Sequence, residues 1–233
     1  MYEAVHAVPD GESTVARMAL TAAEQGYEGV VVRNHGDRRA AFDAGTVADE
    51  TGVDVVTGVE IRADGPEQAS GYLGNYRDEH VVVAVHGGPE SMNRFAAAQD
   101  RVDVLAHPTA RGAFDQGTAK AAAEHGVRVE FDLEPVLRGD GGPRVQAIRR
   151  LRRARDLVEQ YDVPHVVSGG PRSHLQLRSP RELAALGGAI ELGREFVRDG
   201  LAEWGRLATR NRERRSDRFI EPGVRRGKHD EEP

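Results

Sequence analysis

A parallel (β/α) barrel, TIM-like and with seven strands, is the fold this sequence predicts, and three observations carry the prediction. Short runs of β-branched or small apolar residues recur along the chain, each the length of a strand buried on both faces. Stretches of helical period fill the gaps between them, as successive β-then-α units require. Four of the nine histidines close such a run: Val5-His6, Val31-Val32-Arg33-Asn34-His35, Val81–Val85 before His86, and Val104-Leu105-Ala106-His107. In a barrel all those strand ends open on one face, where the fold builds its sites. An open doubly wound sheet is the alternative reading of the same alternation.

The expected strands are Tyr2–His6, Gly29–Asn34, Val53–Ile61, His80–Val85, Val102–Ala106, Val127–Leu133 and His165–Ser168. Helical period runs through Ser13–Gln25, Arg38–Thr51, Ser91–Gln99, Gln116–His125, Pro143–Tyr161, and from Arg181 onward. Ser13 is placed to cap the first helix, and Ser179-Pro180-Arg181-Glu182 combines a cap, a first-position proline and an acid in the first turn. Gly26, Gly52 and Gly126 each follow a helix and precede a strand, where a left-handed stop is needed. One domain is expected over residues 1–215. Residues 216–233 mix Gly, Pro and charge with no apolar period, the composition of a disordered tail.

The absence of cysteine excludes disulfides, thiolate metal sites and cysteine nucleophiles. No apolar stretch reaches the roughly 20 residues of a membrane span, so a cytoplasmic protein without membrane contact is expected. The net charge of −6 divides unevenly: residues 1–136 carry −12 and residues 137–233 carry +6. Arginine supplies 30 of the 32 basic residues, and its planar fork suits phosphate. The acidic half would repel RNA unless salt screens it, so assembly with RNA is expected to improve with salt over part of the range.

His6, His35, Glu60, His86, His107 and His174, with Glu130 and Asp132 nearby, are a set of nitrogen and oxygen donors around one mouth. These segments resemble the polymerase-and-histidinol-phosphatase (PHP) barrels, which hold several metals for phosphoester hydrolysis. His6-Ala7-Val8-Pro9-Asp10, Asn34-His35, Val59-Glu60-Ile61 and Leu105-Ala106-His107-Pro108 carry the resemblance. Ala4 replaces the first histidine of that pattern, Asn34 replaces an aspartate, and no acid accompanies His174. With so many ligands missing, the six residues read as a vestigial cluster and no metal is expected.

The C-terminal half resembles a metal-poor relative of those barrels, the ribonuclease P protein component 3 family. Val129–Leu133, the arginines of 149–155, Tyr161–Gly170 and above all Leu177-Arg178-Ser179-Pro180-Arg181-Glu182-Leu183 carry this second resemblance, with Ala106-His107-Pro108 in support. It implies a protein subunit of the ribonucleoprotein that removes the 5′ leader from precursor tRNA. Catalysis then lies with the RNA and its Mg2+, so the isolated chain is expected to be inactive and to offer no catalytic residue. Implied partners are ribonuclease P RNA, precursor tRNA, a small RRM-like subunit and the other ribonuclease P proteins. A free-standing PHP-type phosphoesterase is the alternative.

Six arginines follow strand ends and are expected to touch RNA: Arg38, Arg39, Arg62, Arg111, Arg172 and Arg178. Arg149, Arg150, Arg152 and Arg153 are secondary candidates, because Ile148, Leu151, Ala154, Leu157 and Val158 among them form an apolar stripe that a helix would bury, turning the guanidinium groups outward. Contacts of this kind are to phosphate, giving salt dependence rather than sequence specificity.

Overall fold

The computed structural model describes residues 1–111 and 114–216, and beyond them Phe219–Glu221 and Val224–Arg225. Seven strands pair in parallel in chain order: β1 (Tyr2–Val5), β2 (Gly29–Val32), β3 (Asp54–Ile61), β4 (Val82–His86), β5 (Val104–Ala106), β6 (Arg128–Asp132) and β7 (His165–Ser168). Helices α1 (Val15–Glu24), α2 (Ala44–Thr51), α3 (Pro66–Tyr76), α4 (Glu90–Ala97), α5 (Gln116–His125), α6 (Glu134–Leu137), α7 (Gly141–Gln160) and α8 (Pro180–Ala189) surround the sheet, and α9 (Arg194–Arg214) follows. The barrel is nearly closed, and the open doubly wound sheet is set aside.

Two helix starts differ from expectation, and two helices, α3 and the single-turn α6, were not expected. Thr14, not Ser13, caps α1, because the Ser13 hydroxyl is drawn to His174 at 2.9 Å. Asp43 caps α2, so the helix starts six residues after Arg38. Helix α3 has little helical period to show in sequence, since it contains Gly71 and Gly74 and buries only Ala69 and Leu73. Ser179 and Glu182 do form the full capping box of α8.

Among the described residues β7 and β1 share no ladder, and α9 fills the gap. Gly200 lies so close to Val167 that a Cβ there would sit 2.9 Å from its backbone nitrogen, and Gly205 faces the Tyr2 ring equally tightly. Between them Trp204, fully buried, donates its indole N–H to the Val167 carbonyl at 2.9 Å. Side chains alternate along each strand, so Ala4, Val31, Val56, Ala84, Val104, Ala106 and Val166 share one interior cluster with Trp204, Leu207 and Ala208. The larger apolar layer lies between strands and outer helices.

At the gap Glu3 substitutes for missing backbone pairing. Its carboxyl accepts from the Gly169 N–H at 3.0 Å and from the Tyr27 hydroxyl at 3.1 Å. Burial, opposed by those bonds, pushes the Glu3 carboxyl up to about 8. Most of the expected tail lies outside the described residues; within it Phe219–Glu221 (β8) and Val224–Arg225 (β9) pair antiparallel. No helix among the described residues is long and apolar enough to cross a membrane.

Candidate functional site

The period of two that fills the barrel with Ala and Val also builds its mouth. On several strands a polar residue comes two beyond a small interior side chain: Ala4 then His6, Val31 then Arg33, Ala84 then His86, Val166 then Ser168. Glu60, Glu130 and Asp132 join them from β3 and β6. Five of the six expected cluster residues therefore meet. Glu60 is their hub, with His86 Nδ1 at 2.5 Å, His107 Nε2 at 3.4 Å, His35 Nε2 at 3.5 Å and His6 Nε2 at 3.7 Å.

His174 does not join. It lies in a short 3-10 turn, His174–Gln176, and pairs with Ser13 instead. The reason is the loop after β7, which runs past the rim and is tied to the β1 loop by Glu12 N–H to Arg172 O and His6 N–H to Pro171 O.

Asp10, Asp132 and Arg33 complete the network. Asp10 accepts from or pairs with both His6 Nδ1 at 2.8 Å and His35 Nδ1 at 2.7 Å, and Asp132 holds His107 Nδ1 at 3.0 Å. Such carboxylates fix the orientation of an imidazole ring. Arg33 is wholly buried beneath them. Its guanidinium reaches Glu130 at 2.5 Å and Glu60 at 3.4 Å and lies 5.6 Å from the centre of the Trp204 ring. Ser168 donates a further bond to Glu130 at 2.5 Å.

Charge and burial settle against each other here. Burial alone would raise the Glu60 carboxyl, yet His107 and Arg33 outweigh it and hold the group well below the usual range. For His107 burial disfavours the cation, but Glu60, Glu130 and Asp132 hold its pKa well above the ordinary imidazole value. At His6 desolvation prevails and the pKa falls. Desolvation is overcome at Asp10 by its bonds to His6 and His35, so this carboxyl titrates lower than usual. The Asn34 side chain bonds both the N–H and the C=O of Ala7, a pairing that needs a donor and an acceptor and that a carboxylate would break.

Two groups, His6–Asp10–His35 and His35–Glu60–His86, have donor atoms within 4.8 Å of one another, the spacing of a metal site. The His35 Nε2 and Glu60 Oε2 atoms are buried there without a hydrogen-bond partner. A multinuclear centre does not fit, however. Arg33 already places a fixed positive charge between Glu60 and Glu130, and Asp10 is engaged by two histidines and Arg172. The arrangement is a polar core whose acids are each paired with a cation or a histidine, with His86 and His107 at its opening.

The ten expected RNA-contacting arginines divide by what they touch. Arg39 pairs with Glu79 at 3.0 Å and Arg62 with Asp37 at 3.5 Å. Arg172 bonds the Asp10 carboxylate at 2.9 Å and its carbonyl, while Arg178 donates to the Leu175 and Leu177 carbonyls. Arg38 and Arg111 are exposed, with no side-chain partner among the described residues. On α7, Arg152 pairs with Glu191 at 3.1 Å and Arg150 reaches the Ala110 carbonyl at 3.2 Å, whereas Arg149 and Arg153 stand exposed with no partner among the described residues.

Comparison with known proteins places this architecture. The family described as RNase P subunit p30 matches residues 1–216. A protein of Haloarcula marismortui named ribonuclease P protein component 3 is 57% identical over 226 residues, 97% of this chain and 96% of that protein. One of the same name from Halorubrum lacusprofundi is 54% identical over 239 residues and covers 100% of both. A third, from Methanosarcina barkeri, is 38% identical over 184 residues, 78% of this chain and 77% of that protein. A chain in the cryo-EM structure of archaeal ribonuclease P with mature tRNA shares the fold, with a TM-score of 0.83 at 20% identity over 100% of both chains.

Proposed function

The chain belongs to the RNase P subunit p30 family, and from that premise we propose that it is an RNA-binding, non-catalytic protein subunit of ribonuclease P. One observation carries the reading: relatives named ribonuclease P protein component 3 match it over essentially their whole length, at 57% identity in one case. In this reading the RNA component, with Mg2+, removes the 5′ leader of precursor tRNA. The chain contributes a rigid folded surface to the RNA and to the other protein subunits, a small RRM-like one among them.

The pairing at the mouth supports the same division of labour. General acid-base or metal-assisted hydrolysis needs groups free to exchange a proton or a ligand with substrate. Here Glu60, Glu130, Asp10 and Asp132 are each engaged by a cation or a histidine of the same chain. RNA association then falls to the arginines, with Arg38 and Arg111, which have no side-chain partner among the described residues, contributing more than Arg39, Arg62, Arg172 and Arg178, which are held by the chain's own acids and carbonyls.

Reconstitution tests the proposal. Ribonuclease P RNA and the remaining protein subunits, assembled with and without this chain, are given precursor tRNA and 5′ leader release is followed. Cleavage rising with the chain present, and no hydrolysis of precursor tRNA or phosphomonoesters by the chain alone, is the expected outcome. Metal-dependent turnover by the isolated chain that disappears in His107→Ala would overturn it.

A further inference from the structure

We propose that the RNA backbone crosses the outer wall of the barrel along α7, entering at the β5–α5 loop, with Arg111, Arg149 and Arg153 as its phosphate contacts. The inference rests on the RNA-binding reading above and locates the surface that does the binding.

The helix itself sets the geometry. Ala147, Leu151, Ala154 and Val158 are buried, which fixes the inward face of α7. At 100° per residue Arg149 projects to the opposite side, and Arg153 follows one turn later, about 6 Å along the axis. Neither side chain has an ion-pair or hydrogen-bond partner among the described residues, although the chain as a whole is acidic. Two like charges one turn apart repel, so the pair is a standing cost of the free chain that an anion relieves. Asp156 is the one acid on this face, three residues beyond Arg153 and unpaired with it.

Arg150 links the wall to the rim. By donating to the Ala110 carbonyl it draws the β5–α5 loop onto α7, and the next loop residue is the exposed Arg111, whose side chain has no partner among the described residues. Between loop and helix lies a cleft of about 390 Å3, lined by Thr109, Pro135, Arg138, Pro143 and Leu151 among others. Its two acids are already engaged, Asp132 by His107 and Glu134 by Arg138. Cations along an edge and a partly apolar hollow beside them suit a sugar-phosphate chain.

A protein partner is the poorer fit. Interface cores are built on aromatic and large apolar anchors. The outward face of α7 offers only Val145, 46% exposed, and no aromatic side chain.

The test is a salt titration of ribonuclease P RNA binding, using the full chain with its partner subunits. The wild type is compared with R149Q/R153Q and with R39Q/R62Q, whose arginines are tied to acids at the rim. Loss of the outer pair should flatten the slope of log affinity against log salt by roughly 0.7–0.9 per contact, and loss of the rim pair by less. Thermal unfolding of both double variants checks that the fold is intact. An unchanged slope in R149Q/R153Q, with a reduced one in R39Q/R62Q, would move the RNA to the mouth and overturn the inference. So would loss of a protein subunit from the R149Q/R153Q particle with its RNA slope intact. If the wild-type chain adds nothing to RNA binding or cleavage, the underlying reading fails instead.

Discussion

The barrel mouth and the α7 wall are both rich in charge, and they treat it in opposite ways. At the mouth Arg33, His107 and Arg172 face Glu60, Glu130, Asp132 and Asp10 at distances of 2.5–3.9 Å, mostly out of water. On the wall Arg149 and Arg153 face solvent with no neutralising partner among the described residues. The first arrangement holds a polar interior together, because each buried charge is stranded if its partner is removed. The second contributes little to the fold and leaves cationic capacity for a ligand. A cluster of histidines and acids that looks like a reaction centre in sequence can thus hold a fold together, and on the reading proposed above it is a plain helix face that meets the RNA.

Breaking the mouth should produce the largest effect. Arg33→Met leaves Glu60 and Glu130 buried without their cation and should cost about 3–5 kcal/mol in urea-induced unfolding near neutral pH. The loss should shrink on acidification, as the stranded Glu60 takes up a proton. A cost below about 1 kcal/mol would show that the mouth does not depend on Arg33.

The gap between β7 and β1 sharpens the comparison through pH. Glu3 is raised from an ordinary value near 4.5 to about 8, so the folded chain holds a proton there that the unfolded chain releases. Its favourable contribution is complete below pH 4.5 and is lost as pH rises through about 8. Glu3→Gln should therefore flatten the decline in stability between about pH 5 and 8, measured by thermal or urea unfolding across that range. A slope equal to that of the wild type would remove Glu3 from the account. The smallest effect belongs to the wall: R149Q/R153Q should lie within about 0.5 kcal/mol of the wild type.

How much of this could be read beforehand varies with the range of the interaction. Local pattern sufficed for all seven strands, for the left-handed Gly26, Gly52 and Gly126, and for the Ser179–Glu182 capping box. It sufficed also for His6, His35, Glu60, His86 and His107, since a histidine ending a buried run must point to the common face. Arg33 was hidden because it looks like the polar end of its strand; only alternation, which turns Val31 and Arg33 the same way, marks it as interior. His174 was misplaced because the loop after β7 carries it to Ser13, 161 residues away in sequence. Which arginines are free was not legible at all. The partner of Arg172 is Asp10, 162 residues distant, and no local spacing pairs them.

The claim that the mouth is structural and not catalytic can be tested at His86. It stands at the opening, with 35% of its side chain exposed, so its removal should leave the fold in place. The decisive measurement is kcat for 5′ leader removal by particles assembled with the His86→Ala chain, with assembly verified independently. The account predicts a rate within a few-fold of the wild-type particle. A loss of 10²-fold or more, the scale expected when a general acid or base is removed, in a fully assembled particle would contradict it.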